Sequence, residues 1–585
     1  MDYNKLRALL LRRFSMPKER SIRGILRSFT IAEKAVFYFF VSVFLLSGAA
    51  LLWKVNNAFL VEVPIRGGTL TEGVVGNPRF INPVLAISEA DKNLVSLLYS
   101  GLVRVTPEGK IENDLAEEVT ISDDRRTYTV RLHQNARFHD GTPVTADDVI
   151  FTIQKITDPS IKSPKRGNWD GVAVEKIDEK TVSFTLKQAY TPFIYNLTLG
   201  ILPKHIWKNV SNDEFSFSQF NTLPIGSGPY KVERVERNSG GIPNLYRLAP
   251  FENISDKAPF IKNLVFKFYP GETALIEAFS AREVESISGV SPEKTLELQT
   301  NNSRIISSPL PRVFAVFFNQ SQSKALLNKE ARQALNLTSP RKKIVEEILG
   351  GYATAITGPM PAGIYSWTSM KENSLTPDEE LEIARALLAK AGWRANPETG
   401  ILEKKSASGT MSLSFSISTS DAPELQRVAS ELATRWRELG AKVEVLVFET
   451  GDLNQNVIRP RNFDALLFGE VVGRDADLYP FWHSSQRTDP GINIALYANS
   501  RADKYLDDAR SAAEPEAIEK NYKAFAKELE TDVPAVFLYT PNFLYVMPEK
   551  IKAVNLGSLT VSQDRFLSIT DWYIETDKVW KIFAK

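Results

Sequence analysis

Histidine, serine and acidic side chains are the groups in this sequence that could do chemistry, and their spacing matches no catalytic motif. The four histidines are His133, His139, His205 and His483, and none has the spacing of a zinc-binding HExxH motif. His483 precedes Ser484 and Ser485, which superficially suggests a hydrolase, but the sequence has no GxSxG elbow. Carboxylate pairs are plentiful, so composition alone leaves a glycosidase open. The spacing favours a protein that is not an enzyme, with no cofactor and no metal.

The cysteine content and the net charge exclude further classes of protein and of site. The sequence has no cysteine, which excludes disulfides, thiol catalysis, iron–sulfur clusters and a lipid-modified N-terminal cysteine. The net charge is +1, so no global electrostatic field indicates a nucleic-acid partner. The chain has 585 residues, whereas a single core rarely grows beyond about 250–300 residues. We therefore expect at least two lobes, and we expect the protein to be a monomer.

An uncharged apolar run extends from Ala35 to Trp53 and reads AVFYFFVSVFLLSGAALLW. About 20 apolar residues span a bilayer as a helix. Residues 1–34 contain nine lysines and arginines against three acids, and positive flanks stay in the cytoplasm. The pattern predicts a single transmembrane helix at 35–53, a basic cytoplasmic segment before it, a tether at 54–65 and an extracytoplasmic remainder.

A cleaved signal peptide is the competing interpretation of this run. Ser47 and Ala49 could serve as the small residues of a cleavage site. The long basic leader and the continuation of the apolar run to Trp53 favour an uncleaved anchor. A buried core helix is a third alternative, and the phenylalanines and leucines on every side of the run argue against it.

Strand and helix patterns alternate from residue 66 to the C-terminus. Met411–Phe448 form a βαβ pattern, in which two segments of period-two alternation flank an amphipathic helix. The apolar run at 463–472 predicts a strand that is buried on both faces. Segments 127–132 and 180–186 predict strands of a separate, more antiparallel region. These patterns predict an α/β fold.

Residues 137–152 read RFHDGTPVTADDVIFT and closely resemble the signature of the family 5 extracellular solute-binding proteins, the oligopeptide, dipeptide and nickel receptors of ABC transporters. Further segments that resemble the family, in the family's order, are LTEGVVGNPRFINPVLA (70–86), LVSLLYSGLVRVTPEGKIENDLAEEV (94–119), PIGSGPYKVERV (224–235), VFFNQSQSKALLNKEARQALNLTSPRKKIVEEIL (316–349) and FDALLFGEVVGRDADLYPFWHSSQ (463–486). The resemblance covers about residues 66–585. Gly226 and Gly228 lie in the glycine-rich turn, where glycine permits a backbone path that other residues cannot take. This predicts a structural role for both glycines.

The resemblance implies a two-lobed fold of the periplasmic-binding-protein type (type II, cluster C) with an extra domain inserted into the first lobe. The implied boundaries are 66–102, 223–308 and 525–585 for lobe I, 103–222 for the inserted domain and 309–524 for lobe II. The solute lies between the lobes, which close over it by a hinge motion. In peptide-binding members the main chain of the ligand pairs as an added strand.

The resemblance also implies a ligand site in the loop after the FD strand, where peptide receptors place an aspartate against the α-amine of the peptide. Asp475 is the first candidate for this role and Asp477 the second, because the alignment is ambiguous by about two residues. Arg474 could bind a ligand carboxylate or pair with either acid, and Glu470 could face the cleft. Trp482 could line the pocket. The alternatives are a solvated loop or a helix cap for the acids and core packing for the tryptophan.

The function implied by the resemblance is that of a membrane-anchored receptor that delivers a peptide or peptide-like solute to ABC permease subunits. Some oligopeptide receptors carry an arginine where this sequence has Leu467, so peptide specificity is open. Nickel chelates, haem and oligosaccharides are alternative solutes. A membrane-tethered sensor or chaperone-like binder without a permease is the alternative class.

Overall fold

A computed structural model gives the fold of the chain. It describes residues 24, 29–252, 258–295, 298, 302–365, 367–368, 375–406, 409–473, 476–489, 491–512, 514–557 and 559–583. The chain divides into two compact units, of which one comprises residues 1–65 and 576–585 and the other residues 66–575.

Helices and strands alternate along both units. The helices are α1 Ile31–Phe59, α2 Glu89–Leu98, α3 Ala146–Thr157, α4 Lys204–Trp207, α5 Glu272–Ser280, α6 Pro292–Thr295, α7 Lys324–Leu327, α8 Lys329–Leu337, α9 Arg341–Lys343, α10 Pro377–Lys390, α11 Pro423–Leu439, α12 Thr450–Asp452, α13 Tyr479–Trp482, α14 Ser500–Ser511 and α15 Pro515–Asp532. The strands are β1 Leu60–Ile65, β2 Gly67–Val75, β3 Val103–Val105, β4 Ile111–Asn113, β5 Ala116–Ile121, β6 Thr127–Leu132, β7 Ala173–Lys176, β8 Thr181–Thr185, β9 Tyr230–Arg237, β10 Pro243–Pro250, β11 Ile261–Tyr269, β12 Ser286–Ser288, β13 Ser303–Pro309, β14 Arg312–Phe318, β15 Ala353–Ala355, β16 Trp393–Ala395, β17 Leu402–Ser406, β18 Gly409–Ser412, β19 Ser414–Ser420, β20 Lys442–Phe448, β21 Ala465–Val471, β22 Ala535–Pro548 and β23 Glu575–Trp580.

The smaller unit is built around the apolar helix α1. A capping box starts this helix, because Thr30 and Glu33 each bond the backbone N–H of the other. None of the 29 residues of α1 is buried. It is long and apolar enough to cross a membrane. Residues 54–65 are regular structure rather than a tether, because α1 continues to Phe59 and β1 follows at once and pairs with β23.

A twelve-stranded sheet forms the frame of the larger unit. Its strand order is β20-β19-β21-β14-β22-β12-β2-β11-β10-β9, and β13 and β15 pair with β22 beside this path. The first half of β22 pairs with β14 and β15, and its second half pairs with β12 and β13. The sheet is therefore continuous through one long strand that serves two sets of partners.

Separate cores lie along this sheet, which confirms the expectation of two lobes. Phe543, Tyr545 and Met547 of β22 belong to the first core, whereas Val536 and Leu538 belong to the second. The chain crosses between the lobes after β13, at residues 310–311, and again inside β22, at residues 541–542. Helix α15 packs into a core of the second lobe, and β22 pairs with β15 as far as residue 541. The predicted end of the second lobe at residue 524 stays a prediction.

The region predicted as an inserted domain has its own antiparallel sheet, in the order β5-β6-β8-β7. Helix α3 packs beside it, and Thr145 and Asp148 form the capping box that starts the helix. Tyr128, Val130 and Phe184 of this sheet belong to the same buried cluster as the first lobe. The region thus adds a sheet to the first lobe without a core of its own.

The signature segment holds this region to the first lobe through His139. The Gly226 N–H donates to His139 Nδ1 over 3.2 Å, and His139 Nε2 donates to the Gly228 carbonyl over 3.1 Å. The two contacts assign the neutral tautomer with the proton on Nε2, and burial lowers the pKa of His139 to about 4. A Cβ at Gly226 would lie 1.8 Å from the Leu98 carbonyl oxygen, so only glycine fits there. The signature is structural, as the sequence predicts.

A fully buried ion pair lies at the centre of the first lobe. Arg565 donates to Glu72 Oε1 from Nη2 over 2.9 Å, and neither side chain is exposed to solvent. Tyr545 and Ser286 donate to the other oxygen of Glu72, and Arg565 also donates to Asn93 Oδ1. The network joins β2, α2, β12, β22 and the C-terminal segment, and its ionised groups are compensated by partners, as burial of charge requires.

We predict that Arg565→Leu lowers the free energy of unfolding by about 3–5 kcal/mol, because it leaves the Glu72 carboxylate buried without its partner. Urea unfolding of the full chain in detergent measures the loss.

The matched control for that variant is Arg104→Leu. It removes an ion pair with Glu112 whose side chains are 51% and 50% exposed, and such pairs contribute only about 0–1 kcal/mol. Equal losses in the two variants would contradict a special role of the buried pair.

Candidate functional site

The residues predicted to bind the solute lie on β21, in the loop after it and on α13. Glu470 is the sixth residue of β21, and Trp482 is the last residue of α13. Asp477 lies in the loop between them. Arg474 and Asp475 are outside the described residues, so their predicted roles stay predictions.

Glu470 lies where the second lobe meets the crossing segment. β21 pairs antiparallel with β14, and Glu470 is opposite Val313, two residues after the crossing at Pro311. Alternation along a strand puts Glu470 on the same face as Leu466 and Phe468, which pack against one core of the second lobe. The side chain is therefore held at the end of the sheet that borders the first lobe.

The carboxylate of Glu470 is buried without compensation. The residue is only 4% exposed, and neither Oε1 nor Oε2 has a hydrogen-bond partner among the described residues. Desolvation raises the pKa of Glu470 well above its usual value. A buried carboxylate without a partner is costly, and strongly perturbed acids of this kind concentrate at functional sites. A cationic group of a bound solute could supply the missing partner.

Asp477 is also buried, but its charge is balanced within the protein. Arg510 donates to its Oδ2 from Nη2 over 2.6 Å and from Nε over 2.9 Å. The Tyr479 N–H donates to Oδ1 over 3.0 Å, and the Tyr479 ring lies 3.9 Å from the Arg510 guanidinium carbon. A solute amine would have to compete with Arg510 for this aspartate. The ligand role of Asp477 stays a prediction. Of the two acids, Glu470 is the one that no described residue pairs with a cation.

The Asp477–Arg510 pair lies against the sheet region of the first lobe. The Arg510 guanidinium carbon is 5.8 Å from the centre of the Tyr190 ring. Thr191 Oγ1 donates to the carbonyl of Ala512 over 3.4 Å. Arg510 and Ala512 of the second lobe therefore contact Tyr190 and Thr191 of the first lobe.

Trp482 packs inside the second lobe. Its side chain is fully buried, and its ring lies 5.7 to 6.4 Å from those of Phe537, Phe317, Tyr497 and Phe525. Within the described part of the chain, its indole Nε1 has no hydrogen-bond partner. The packing matches the structural alternative for this residue, and its role in lining the pocket stays a prediction.

Trp367 is a candidate that the sequence pattern did not single out. Its ring stacks on Tyr365 at 5.7 Å with an interplanar angle of 6°, and both pack on the core face that carries Glu470. Its Nε1 is buried and bonds to no residue that the structure describes. The segment has no periodicity, and the only signal in the sequence is a pair of aromatic residues in a loop. An indole N–H donor and a carboxylate acceptor thus both remain unused on this face.

A cavity of about 930 Å³ lies elsewhere, among α8, α9, α10 and α11. Its Arg341 donates to the carbonyls of Phe537 and Asn336, and its Arg435 donates to the carbonyl of Pro377. These arginines serve the fold. In the part of the chain that the structure describes, no three histidine or acidic side chains form a group that could hold a metal ion.

Comparisons with known proteins agree with this architecture. Residues 110–489 match the family profile described as the bacterial extracellular solute-binding proteins, family 5, middle. The oligopeptide-binding protein AppA of Bacillus subtilis is 27% identical over 496 residues, which cover 84% of this chain and 89% of that protein. The AppA structure in complex with a nonapeptide aligns over 88% of this chain and 100% of AppA with a TM-score of 0.65. NikZ of Campylobacter jejuni, in complex with Ni(L-His), is 25% identical and aligns over 86% of this chain and 99% of NikZ with a TM-score of 0.66.

We predict that Glu470→Gln changes the pH dependence of stability. Because the pKa of Glu470 is raised in the folded state, the folded wild type keeps a proton that the unfolded chain loses above its ordinary value of 4.5. Wild-type stability therefore falls as pH rises from 4.5 to the raised pKa, by up to about 1.4 kcal/mol per pH unit. The variant lacks this loss, so its stability relative to the wild type rises over the same range.

Thermal unfolding midpoints of the unliganded chain between pH 4 and pH 8 measure this difference. Glu382→Gln, on an exposed position of α10, is the control and should leave the profile of the wild type unchanged. Parallel profiles for Glu470→Gln and the wild type would show that Glu470 titrates normally.

Proposed function

The chain belongs to the bacterial extracellular solute-binding proteins of family 5, and from that membership we propose that it captures a peptide-like solute with a free amine for an ABC permease. As a member of this family it is a solute-binding protein of a transporter and not an enzyme. The similarity to an oligopeptide-binding protein over most of both chains supports a peptide as the solute class.

The unpaired carboxylate of Glu470 is the observation that carries the proposal. A free α-amine is the cationic group that all unmodified peptides share, and it is the natural partner for a buried carboxylate. Backbone pairing at the sheet edge would hold the rest of the peptide, because main-chain groups are common to all sequences. The receptor would therefore select for the charged terminus more than for side chains.

The loop at 473–478 would provide the second part of the site. Asp475 remains a candidate for the same amine, and Arg474 for a carboxylate of the solute. Asp477 would act through Arg510, which it holds against Tyr190 at the contact between the lobes. Closure over the solute would then bring Asp475 and Glu470 to one end of a trapped peptide.

We propose that α1 is an uncleaved single-pass anchor, with the N-terminus in the cytoplasm and the lobes outside. The apolar part of a signal peptide spans about 7–15 residues, whereas the run from Ala35 to Trp53 has 19 and lies within a continuous helix of 29 residues. The helix passes through Ser47 and Ala49 without interruption. Such a helix is long enough to span the hydrocarbon core.

We predict that Glu470→Gln weakens binding of peptides with a free amine by about 2–5 kcal/mol, because a desolvated charge pair is lost. The probe is a nonapeptide selected from a random library by native mass spectrometry of the full chain, and calorimetry measures its affinity. The same peptide with an acetylated N-terminus should bind the variant and the wild type equally well.

Two further variants sharpen this test. Asp475→Asn distinguishes the roles of Asp475 and Glu470. The wild type should bind the free peptide more tightly than the acetylated peptide, and substitution of the acid that contacts the amine should remove this difference. Glu382→Gln serves as the control for a surface acid. Failure of every peptide in the library to bind would contradict the peptide proposal, and equal losses for free and acetylated peptides would contradict the role of Glu470.

The anchor has a separate test. We expect the protein extracted from bacterial membranes to have the intact mass of the whole chain, 65.6 kDa, because the helix stays in place. Ala49→Leu, which removes the small residue of the potential cleavage site, should leave this mass pattern unchanged. A wild-type product that lacks the first 49 residues, together with an uncleaved variant, would identify a signal peptide instead.

A further inference from the structure

The C-terminal strand lies beside the end of the apolar helix. β23 pairs with β1, which directly follows α1. The Trp580 Nε1 donates to Asn56 Oδ1 over 2.9 Å, and the Trp580 ring stacks on Phe59 with ring centres 6.4 Å apart. β23 therefore runs toward the helix, and the residues after Trp580 follow from a point next to its last turn.

This end of the chain carries large apolar side chains that are exposed. Phe59 is 55% exposed, Trp580 47%, Ile582 78% and Phe583 72%. Soluble surfaces rarely gather exposed aromatic and aliphatic residues in this way unless a partner covers them. Lys578 and Lys581 lie among them and are also exposed. The combination of aromatic, aliphatic and basic side chains is typical of a membrane surface.

The position of this cluster along α1 matches the membrane boundary. The apolar part of the helix ends at Trp53, and Asn56 lies three residues later, about 4.5 Å farther along the axis. The headgroup region on each side of the hydrocarbon core is about 5–8 Å thick. The indole of Trp580, which is bonded to Asn56, therefore lies at headgroup depth when α1 spans the bilayer.

We propose that residues 580–583 form a second membrane contact, in which Trp580, Ile582 and Phe583 enter the outer headgroup region beside α1. The partner is the lipid bilayer, because the cluster is continuous with a helix whose apolar surface is entirely unburied. Lys578 and Lys581 face anionic headgroups in this arrangement. The inference rests on the proposed uncleaved anchor and adds a binding surface at the opposite end of the sequence.

Spin labelling tests this contact, and the absence of cysteine makes single labels straightforward. Ile582→Cys carries a nitroxide in the full chain, reconstituted into vesicles of phosphatidylcholine and phosphatidylglycerol. Oxygen concentrates in the bilayer and a nickel chelate stays in water, so the ratio of their collision rates with the label reports depth. Leu45→Cys in α1 and Phe217→Cys, at a side chain that is 88% exposed, provide the two reference values.

We expect the label at 582 to give an oxygen-to-nickel ratio several-fold above that at 217 and below that at 45. The double variant Ile582→Ser/Phe583→Ser should move a label at 578 toward the value at 217, while the label at 45 stays in lipid. A value at 582 equal to that at 217, with 45 in lipid, overturns this inference and leaves the anchor intact. A label at 45 that is lost with a cleaved leader, or that reports water, overturns the anchor and this inference with it.

Discussion

The strand β22 is the constraint on which the rest of the larger unit depends, because one continuous strand has to satisfy two cores and two sets of backbone partners. Of its fourteen residues, only Pro541, Asn542 and Pro548 are even partly exposed. Pro541 and Asn542 lie at the crossing, where β15 gives way to β13 as the partner. Each lobe has its own buried core, and the chain passes between them here and at residues 310–311. Crossings of this kind are where a hinge motion between two lobes would be accommodated.

Two buried acids, Glu72 in the core of the first lobe and Glu470 in the candidate site, differ in their hydrogen-bond partners. Glu72 accepts hydrogen bonds from three parts of the chain, so its charge stabilises a single arrangement of the first lobe. Glu470 is also buried, and no described residue donates to it. Both acids are buried, and the main difference between them is in their partners. Strongly perturbed buried acids concentrate at functional sites, and this difference in partners is what supports the proposed ligand role of Glu470.

The sequence predicts the elements of this fold better than its boundaries or its site. The βαβ pattern, the strand at 463–472 and the caps of α3 and α10 follow from local rules that need no tertiary information, and the structure has them. Helix α15 and the first half of β22 carry no local sign of which core they join, so a lobe boundary near residue 524 cannot be derived from local rules. The pairing of β1 with β23 joins residues more than 500 positions apart, and residue types alone do not reveal such contacts.

Site residues are harder to derive for a related reason. An acid on an apolar strand is ambiguous in sequence, since Glu72 and Glu470 both interrupt buried strands. Only the count of donors around each separates a structural pair from a binding group. Desolvation raises the pKa of Glu470, because burial disfavours the charged form of its carboxyl group. In the proposed function, a solute ammonium group beside Glu470 would favour the charged form of its carboxyl group. The same desolvation that disfavours the isolated charge would strengthen its ion pair with the solute, and binding would then be linked to pH through this group.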